Sequence, residues 1–303
     1  MVKSENHIER SNYHAGISAA YFFLAPALIS IFIFFFIPVI ASFVISFTDF
    51  DIYSLGNYNN LRFVGLKNYS DLLNNELFWT SLKNTFYFVI VASPLSIAVS
   101  LGAALILSSK VVKLKAIFRL AYFIPVVTTL VAVAIVWRFI YHPRFGMLNY
   151  LFGLIGINSI DWLGDPFWAM PSIILMSIWK NFGYNMIIFI AGLQNIPEHL
   201  YEAAILEGAN VWQQFKKITL PMLAPTTIFI SIITMIGNFQ LFAEPYVMTQ
   251  GGPLNKTLSV VQYMYQEGFR WWNMGYSASI AFVLFLIIFT GTILQLRIQK
   301  KTT

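Results

Sequence analysis

The sequence predicts an all-α protein, a polytopic transmembrane bundle of about six helices, and composition and apolar runs lead to this fold class. Of the 303 residues, 58% are hydrophobic and only 11% are charged. A soluble domain carries about 25% charged residues, so this chain has too few charges to cover a surface exposed to water. A soluble enzyme and a disordered protein are therefore excluded. Cysteine is absent, which excludes a disulfide framework and a thiol nucleophile.

Transmembrane spans are predicted where about 20 consecutive residues are almost wholly apolar, which is the length that crosses the bilayer core. They cover residues 21–47, 84–109, 120–137, 167–193, 223–248 and 271–296. The third can extend to Tyr141, the fourth contains Lys180, and the fifth contains Glu244. The first is too long for a cleaved signal peptide and lacks a small-residue cleavage site.

Lysine and arginine placement predicts the orientation. With the N-terminus inside, eleven of these residues fall on the cytoplasmic side and seven outside. Both termini are therefore expected in the cytoplasm, with residues 1–16 as a tail and residues 17–303 as the transmembrane permease domain. The larger cytoplasmic loop is 194–221, and the outer loops are 48–78, 142–166 and 249–272. Because the basic residues flank apolar segments, they indicate membrane topology and no nucleic-acid partner.

Motifs for catalysis are missing. The sequence contains no G-x-x-x-x-G-K-[ST] motif, which would bind ATP phosphates, and no H-E-x-x-H motif, which would bind zinc. The four histidines lie in tails or loops, so a Ser–His–Asp arrangement would have to span the bilayer. We expect no enzyme activity, no catalytic residue, no metal site and no cofactor in this chain. Energy for any transport would then come from another subunit.

The larger cytoplasmic loop predicts a short helix–turn–helix. Pro197 suits a first helical turn, and Glu198 favours the positive end of the helix dipole. Ala204 and Gly208 are four residues apart, so we expect them on one helical face where small side chains allow close contact with another surface. A second helix over about 211–218 should stop before Pro221.

The same loop resembles the cytoplasmic loop of binding-protein-dependent ABC importer permeases. That family's pattern is E-A-A, three residues, G, nine residues, then I-x-L-P. The matching residues are Glu202, Ala203, Ala204, Gly208 and the I-T-L-P sequence that ends at Pro221. The family usually has aspartate before the glycine, where this chain has Glu207. By this resemblance, these residues form the coupling loop that contacts the ATPase.

The resemblance extends over nearly the whole chain. The F-V-G-L-K-N-Y sequence at 63–69, F-R with a later proline at 118–125, and T-Q-G-G-P at 249–253 are similar to the carbohydrate-uptake branch. Within it the chain resembles the first permease of maltose and glycerol-phosphate importers, in the six-helix form of the type I importers. This implies a second homologous permease, an ATPase dimer that binds ATP and Mg, an extracytoplasmic solute-binding protein, and the cytoplasmic membrane of a bacterium or archaeon.

Polar residues at bilayer depth predict the substrate pathway, because such residues usually face a cavity or the bundle interior. Tyr184 and Asn185 lie near the centre of the fourth span, and Asn238 and Gln240 near that of the fifth. Sugar sites combine aromatic faces with a few hydrogen-bonding groups. By resemblance, Tyr184 falls where this branch places an aromatic residue against the substrate. The alternative is that the amides bond neighbouring helices.

Lys180 and Glu244 are the two charges within predicted spans. On a straight helix, Glu244 would lie roughly 12 Å above the centre of its span, too far from Lys180 for a direct ion pair. We therefore expect Glu244 at the outer mouth of the substrate pathway, or alternatively as an interfacial carboxylate in water. The partner of Lys180 stays open, with the second permease as one option.

The predicted function is a permease subunit that moves a carbohydrate, expected to be a di- or oligosaccharide. A glycerol-3-phosphate importer is the nearest alternative, and Glu244 in the pathway disfavours its anionic cargo. An ion-coupled secondary transporter would show paired broken helices in inverted repeats. A structural membrane scaffold is the third alternative. Stimulation of ATP hydrolysis by binding protein and substrate separates an importer from the last two.

Overall fold

The computed structural model describes residues 21–56, 61–109 and 112–300. Helices dominate these residues, which contain no β-strand and only an isolated antiparallel bridge between Thr48 and Phe63. The all-α prediction is therefore confirmed. The predicted cytoplasmic tail, residues 1–16, lies outside the described residues. The described residues form two compact units. The first comprises residues 21–71 with 267–282, and the second comprises residues 72–266 with 283–300.

The first unit contains α1, Tyr21–Ile45, which includes a π-helical turn over Phe32–Phe36. Two short helices follow, α2 over Ile52–Gly56 and α3 from Lys67 to Leu73. The F-V-G-L-K-N-Y sequence here closes the end of α1. Asn68 Nδ2 donates to the carbonyls of Ser46 at 2.9 Å and Thr48 at 2.8 Å. These bonds satisfy carbonyls that the end of α1 leaves without helical partners.

The second unit is built around α4, Glu76–Ser108, and α8, Ala169–Gln194. Asn75 begins α4 by accepting from the backbone N–H groups of Leu77 and Phe78. The helices meet closely, since Ser100 Oγ on α4 donates to the Phe182 carbonyl of α8 at 3.0 Å. Small residues at helix contacts and hydroxyl bonds to backbone are usual inside membrane bundles.

The remaining helices pack around this pair or connect it. They are α5 over Lys115–Val127, α6 over Leu130–Ile140, α7 over Met147–Gly153, α9 over Glu198–Leu206, α10 over Val211–Met222, α11 over Ala224–Phe239, α12 over Ala243–Met248 and α13 over Val260–Tyr265. The last helix, α14, runs over Met274–Lys300. Two apolar clusters form the core, one around Ile173 and Met176 on α8 and the other around Met186 and Phe189.

Four described helices are long and apolar enough to cross a membrane, and six spans result if each of two bent pairs counts as one. The pairs are α5 with α6, bent by 99°, and α10 with α11, bent by 64°. The prediction of an unbroken third span is therefore wrong. Thr128 and Thr129 adopt extended backbone after the prolyl turn at Pro125, and a new helix starts at Leu130.

The predicted fifth span, 223–248, is also broken. Helix α11 ends at Phe239, the next residues leave the helical path, and α12 starts only at Ala243. Phe242 has φ −142° and ψ −62°, far from helical values, so it redirects the chain between the two helices. This break decides where Glu244 lies.

Candidate functional site

A cavity of about 290 Å³ lies between α4, α5, α8, α11 and α12. Its α8 residues lie between the two apolar clusters along that helix and include the polar side chains of Ser177, Asn181 and Asn185. Four of the five residues predicted for the substrate pathway line it, namely Tyr184, Asn185, Asn238 and Glu244. The predicted group is thus brought together by helices that are distant in sequence.

Tyr184 is the main aromatic surface of this cavity. Its side chain on α8 is 46% exposed within the described chain, in a helix whose neighbouring residues are mostly buried. An aromatic ring left uncovered on the wall of a polar cavity offers an apolar face with a hydroxyl at its tip. Such a group can contact the C–H face of a sugar ring.

The two amides make interhelical bonds and also line the cavity. Asn185 Nδ2 donates to Thr234 Oγ1 on α11 at 3.1 Å, and Asn238 Nδ2 donates to Ser93 Oγ on α4 at 2.8 Å. Each amide therefore ties two helices together while its residue lines the cavity. The bonds use the amide nitrogens and orient the side chains, as buried polar networks do.

Gln240 is the exception among the predicted pathway residues. It caps the C-terminus of α11 with φ −89° and ψ 20°, is exposed, and does not line the cavity. The prediction placed it by counting rise along an unbroken helix. Because α11 ends at Phe239, Gln240 lies in the break between α11 and α12 and not on the wall of the cavity.

Glu244 is buried on the wall of the cavity. It is only 9% exposed and lines the cavity together with Ser177 and Asn181 of α8. The prediction of an outer-mouth position counted rise along a straight fifth span, and the break before α12 removes the basis of that count. Among the described residues, no N–O distance between Lys180 and Glu244 is 4.0 Å or less, so the two do not form a direct ion pair.

Further wall residues were not among the predicted site residues. Ser177, Ile178 and Asn181 precede Tyr184 and Asn185 along α8 and share its cavity face. Their spacing of one, four, seven and eight residues places them on one side of a helix, a pattern readable from the sequence. Ser96 and Thr234 complete the polar wall from α4 and α11.

The loop 194–221, predicted to be cytoplasmic, folds as the predicted helix–turn–helix, with a different role for Gly208. Helix α9 ends at Leu206, and Gly208 has a left-handed backbone with φ +79°. The Ala209 N–H donates to the Ala204 carbonyl at 2.9 Å, and the Gly208 N–H to the Ile205 carbonyl at 3.0 Å. This is a Schellman C-cap. Gly208 therefore lies beyond the helix and shares no helical face with Ala204.

The second helix of the loop is longer than predicted. Asn210 begins α10 with a capping box to Gln213, and the helix runs to Met222 through Pro221. A π-helical turn over Phe215–Thr219 precedes the proline. Proline normally clashes with the carbonyl four residues earlier, and the wider π-helical turn relieves that contact.

The tip of this loop is apolar and uncovered. Leu206 is 89% exposed, Val211 81% and Trp212 69%, and Glu202 and Ala203 are exposed beside them. The base is fixed, because the hydroxyls of Tyr201 and Thr219 are 2.8 Å apart and Tyr201 packs on the core cluster around Phe189. A contiguous uncovered apolar surface of this kind marks a protein contact.

The described ranges contain no candidate metal site. Within residues 21–56, 61–109 and 112–300, no group of three or more His, Cys, Asp or Glu side chains could hold a metal ion.

Curated relatives are similar over almost their whole length. The chain is 36% identical to the arabinooligosaccharides transport system permease protein AraP of Bacillus subtilis, over 96% of this chain and 91% of that protein. It is 37% identical to the lactose transport system permease protein LacF of Rhizobium radiobacter, over 90% and 91%. Identity to the trehalose/maltose transport system permease protein MalF of Thermococcus litoralis is 30%, over 98% of both.

A solved structure has the same fold. It is a crystal structure of a bacterial ABC transporter involved in the import of the acidic polysaccharide alginate, with a TM-score of 0.79, 20% identity, and coverage of 94% of this chain and 96% of that one. The family described as binding-protein-dependent transport system inner membrane component matches residues 96–303. With this match and relatives above 30% identity over nearly the full length, the chain belongs to the family of binding-protein-dependent transport system inner membrane components.

Proposed function

We propose that this inner-membrane component is one permease subunit of an ATP-driven importer, and that its cargo is a neutral carbohydrate, most simply a di- or oligosaccharide. The observation that carries the proposal is the polar cavity beside α8, which combines the uncovered Tyr184 ring with the amides of Asn185 and Asn238. Sugar recognition needs an aromatic face and a few placed hydrogen-bonding groups.

Glu244 supports a neutral cargo. Its buried carboxylate accepts hydrogen bonds from hydroxyl groups and repels phosphate or carboxylate groups that enter the same cavity. The relatives that transport arabinooligosaccharides, lactose and trehalose or maltose support carbohydrate as the cargo class. A glycerol-3-phosphate cargo would bring two negative charges next to this carboxylate, which is unfavourable because like charges repel more strongly at a buried site than in water.

We assign energy coupling to the loop that contains Glu202, Ala203, Ala204, Gly208 and Pro221. Its uncovered apolar tip and rigid base fit a surface that docks on a separate ATPase dimer and transmits its closure to the helices. ATP and Mg would then bind to the ATPase subunits, and this chain would hydrolyse nothing itself. A second permease would complete the pathway, and a solute-binding protein would deliver the sugar from outside, with both termini in the cytoplasm.

Replacement of Tyr184 tests the assignment of the cavity. In a reconstituted complex with the partner permease, ATPase and binding protein, Tyr184→Ala should reduce uptake of the cognate neutral oligosaccharide roughly fivefold, because it removes about 1 kcal/mol of ring contact. Tyr87→Ala on α4 is the matched control, since Tyr87 is similarly exposed, at 47%, and does not line the cavity. Equal uptake by both variants would place the sugar site elsewhere.

A further inference from the structure

Lys180 is a buried cation in the middle of α8. Its side chain is 8% exposed, although a lysine at bilayer depth is costly unless it is paired or hydrogen-bonded. The cavity described above is lined by its neighbours Ser177 and Asn181 and does not include Lys180 itself. The ammonium group therefore acts from behind the wall of the cavity.

The ammonium group bonds to the end of a broken helix. Lys180 Nζ donates to the Val126 carbonyl at 3.3 Å, in the last turn of α5. The last four carbonyls of a helix have no helical partner, and a cation at that end is favourable. Thr128 Oγ1 supplies a second such bond, to the Ile124 carbonyl at 2.9 Å. Within a membrane these groups have no water to bond instead.

Close packing fixes this geometry. One turn beyond Lys180, Gly183 lies against α5, where a Cβ would collide with the Tyr122 carbonyl and come within 3.3 Å of Val126 Cγ2. Only glycine lets α8 and α5 approach this closely. The ammonium group is thereby held at the end of α5.

Glu244 connects the second broken span to the same cavity wall. It lines the cavity together with Val126, whose carbonyl accepts the bond from Lys180. Helix α12, which carries Glu244, packs on α6, where Leu241 and Met248 join Val133 and Ala134 in one apolar cluster. The helices that follow the two breaks, α6 and α12, therefore pack on each other, and Lys180 bonds to the end of α5 just before the first break.

We propose that Lys180 is the positioning residue of the cavity, which holds the end of α5 against α8 and compensates the buried carboxylate of Glu244 from behind the cavity wall. The inference rests on the proposed function, because the cavity matters only if cargo passes through it. The carboxylate of Glu244 still faces the cavity and any cargo, while the ammonium group compensates its charge from behind the wall. Removal of the lysine strands a buried carboxylate and leaves the end of α5 without its donor.

The test compares three variants with one control in the reconstituted importer, with a panel of radiolabelled neutral di- to tetrasaccharides and the cognate binding protein. Lys180→Met should lower the maximal uptake rate by about tenfold or more, because an unpaired buried charge is strongly unfavourable. The KM for loaded binding protein should stay unchanged, since that protein docks on the outer loops. Lys180→Arg, which keeps the charge and the donors, should recover most of the rate.

The double variant K180M/E244Q isolates the charge balance. It should transport faster than Lys180→Met alone, because the stranded carboxylate is removed. Ser100→Ala is the control. It also removes a bond between a buried side chain and the backbone of a neighbouring helix, here from Ser100 on α4 to α8, and it does not change the charge. Its uptake should stay within about twofold of wild type, as expected for one neutral interhelical bond.

Several results would overturn the proposal. Wild-type uptake by Lys180→Met, or an equal loss in Lys180→Met and K180M/E244Q, contradicts it. If Lys180→Met fails to assemble, the double variant decides, because regained assembly and uptake support charge balance and continued failure contradicts it. A wild-type complex that imports no carbohydrate contradicts the proposed function, and this inference with it.

Discussion

Asn238 is a single side chain that both bonds a neighbouring helix and lines the proposed substrate cavity. Its amide nitrogen donates to Ser93 Oγ on α4, while the residue lines the cavity beside Tyr184. A structural bond and a substrate contact are therefore confounded in any replacement of Asn238 alone. The chain offers a way to separate them, because Ser93 supplies the other half of the bond and does not line the cavity.

Two alanine replacements should give different results. Ser93→Ala removes the interhelical hydrogen bond at a cost of about 0.6 kcal/mol, typical of such bonds in membrane bundles, and should leave uptake near wild type. Asn238→Ala removes the same bond and also the amide, so uptake should fall at equal expression. Thermal stability and uptake of both purified complexes check this. Equal loss of uptake in the two variants would mean that Asn238 only packs helices.

At the scale of the element, the cytoplasmic loop depends on backbone shape. The left-handed Gly208 turns the chain between α9 and α10, and a Cβ at this position would meet nothing within 4 Å in the described chain. Within this chain, glycine is therefore needed at position 208 for its left-handed backbone and not for lack of space. The E-A-A and glycine spacing identified the loop from the sequence, but it could not show that the glycine lies one residue beyond the cap.

Gly208→Ala should weaken coupling, because a left-handed backbone costs an alanine about 1–2 kcal/mol. Gly208→Asn is the matched variant, since asparagine tolerates this conformation better and is larger than alanine. We expect stimulated ATP hydrolysis to decrease more in the alanine variant than in the asparagine variant. The opposite order would indicate that side-chain size against the partner matters more than the turn. Gly208→Glu should abolish transport, because a long charged side chain would face the docked ATPase.

The breaks in the third and fifth spans explain most of what the sequence could not predict. Apolar runs located the four described helices that are long enough to cross a membrane and parts of both bent pairs, since lipid exposure imposes that pattern over about 20 residues. Breaks leave no comparable signal, because Thr128 and Phe242 are ordinary residues in an apolar run. Their cost is offset by tertiary partners such as Lys180, which bonds to α5 across 54 residues of sequence.

For the whole molecule, the roles proposed for the cavity and for the loop 194–221 both depend on the orientation of the chain in the membrane. The cytoplasmic loop must lie on the ATPase side, and the outer loop 249–272 on the side of the binding protein. The charge distribution predicts this arrangement. The absence of cysteine allows a clean test, because every labelled position is an introduced one.

Single cysteines at Lys113 and Lys256 should report opposite sides of the membrane. Intact cells treated with an impermeant maleimide should label Lys256→Cys and leave Lys113→Cys unlabelled until the membrane is permeabilised. Both variants keep the remaining inner charges, so the orientation itself should not change. Labelling of Lys113→Cys from outside would reverse the topology and remove the loop around Gly208 from the ATPase side.

We propose that this permease moves a neutral carbohydrate with energy from a separate ATPase. Uptake of a radiolabelled neutral oligosaccharide into proteoliposomes that contain the complete complex is the decisive measurement. We expect uptake only with ATP on the ATPase side and loaded binding protein on the opposite side, and little uptake of a uronic-acid oligosaccharide of equal length. Uptake driven by an ion gradient without ATP would show a different energy source, and equal uptake of the acidic sugar would show that the cavity does not select neutral cargo.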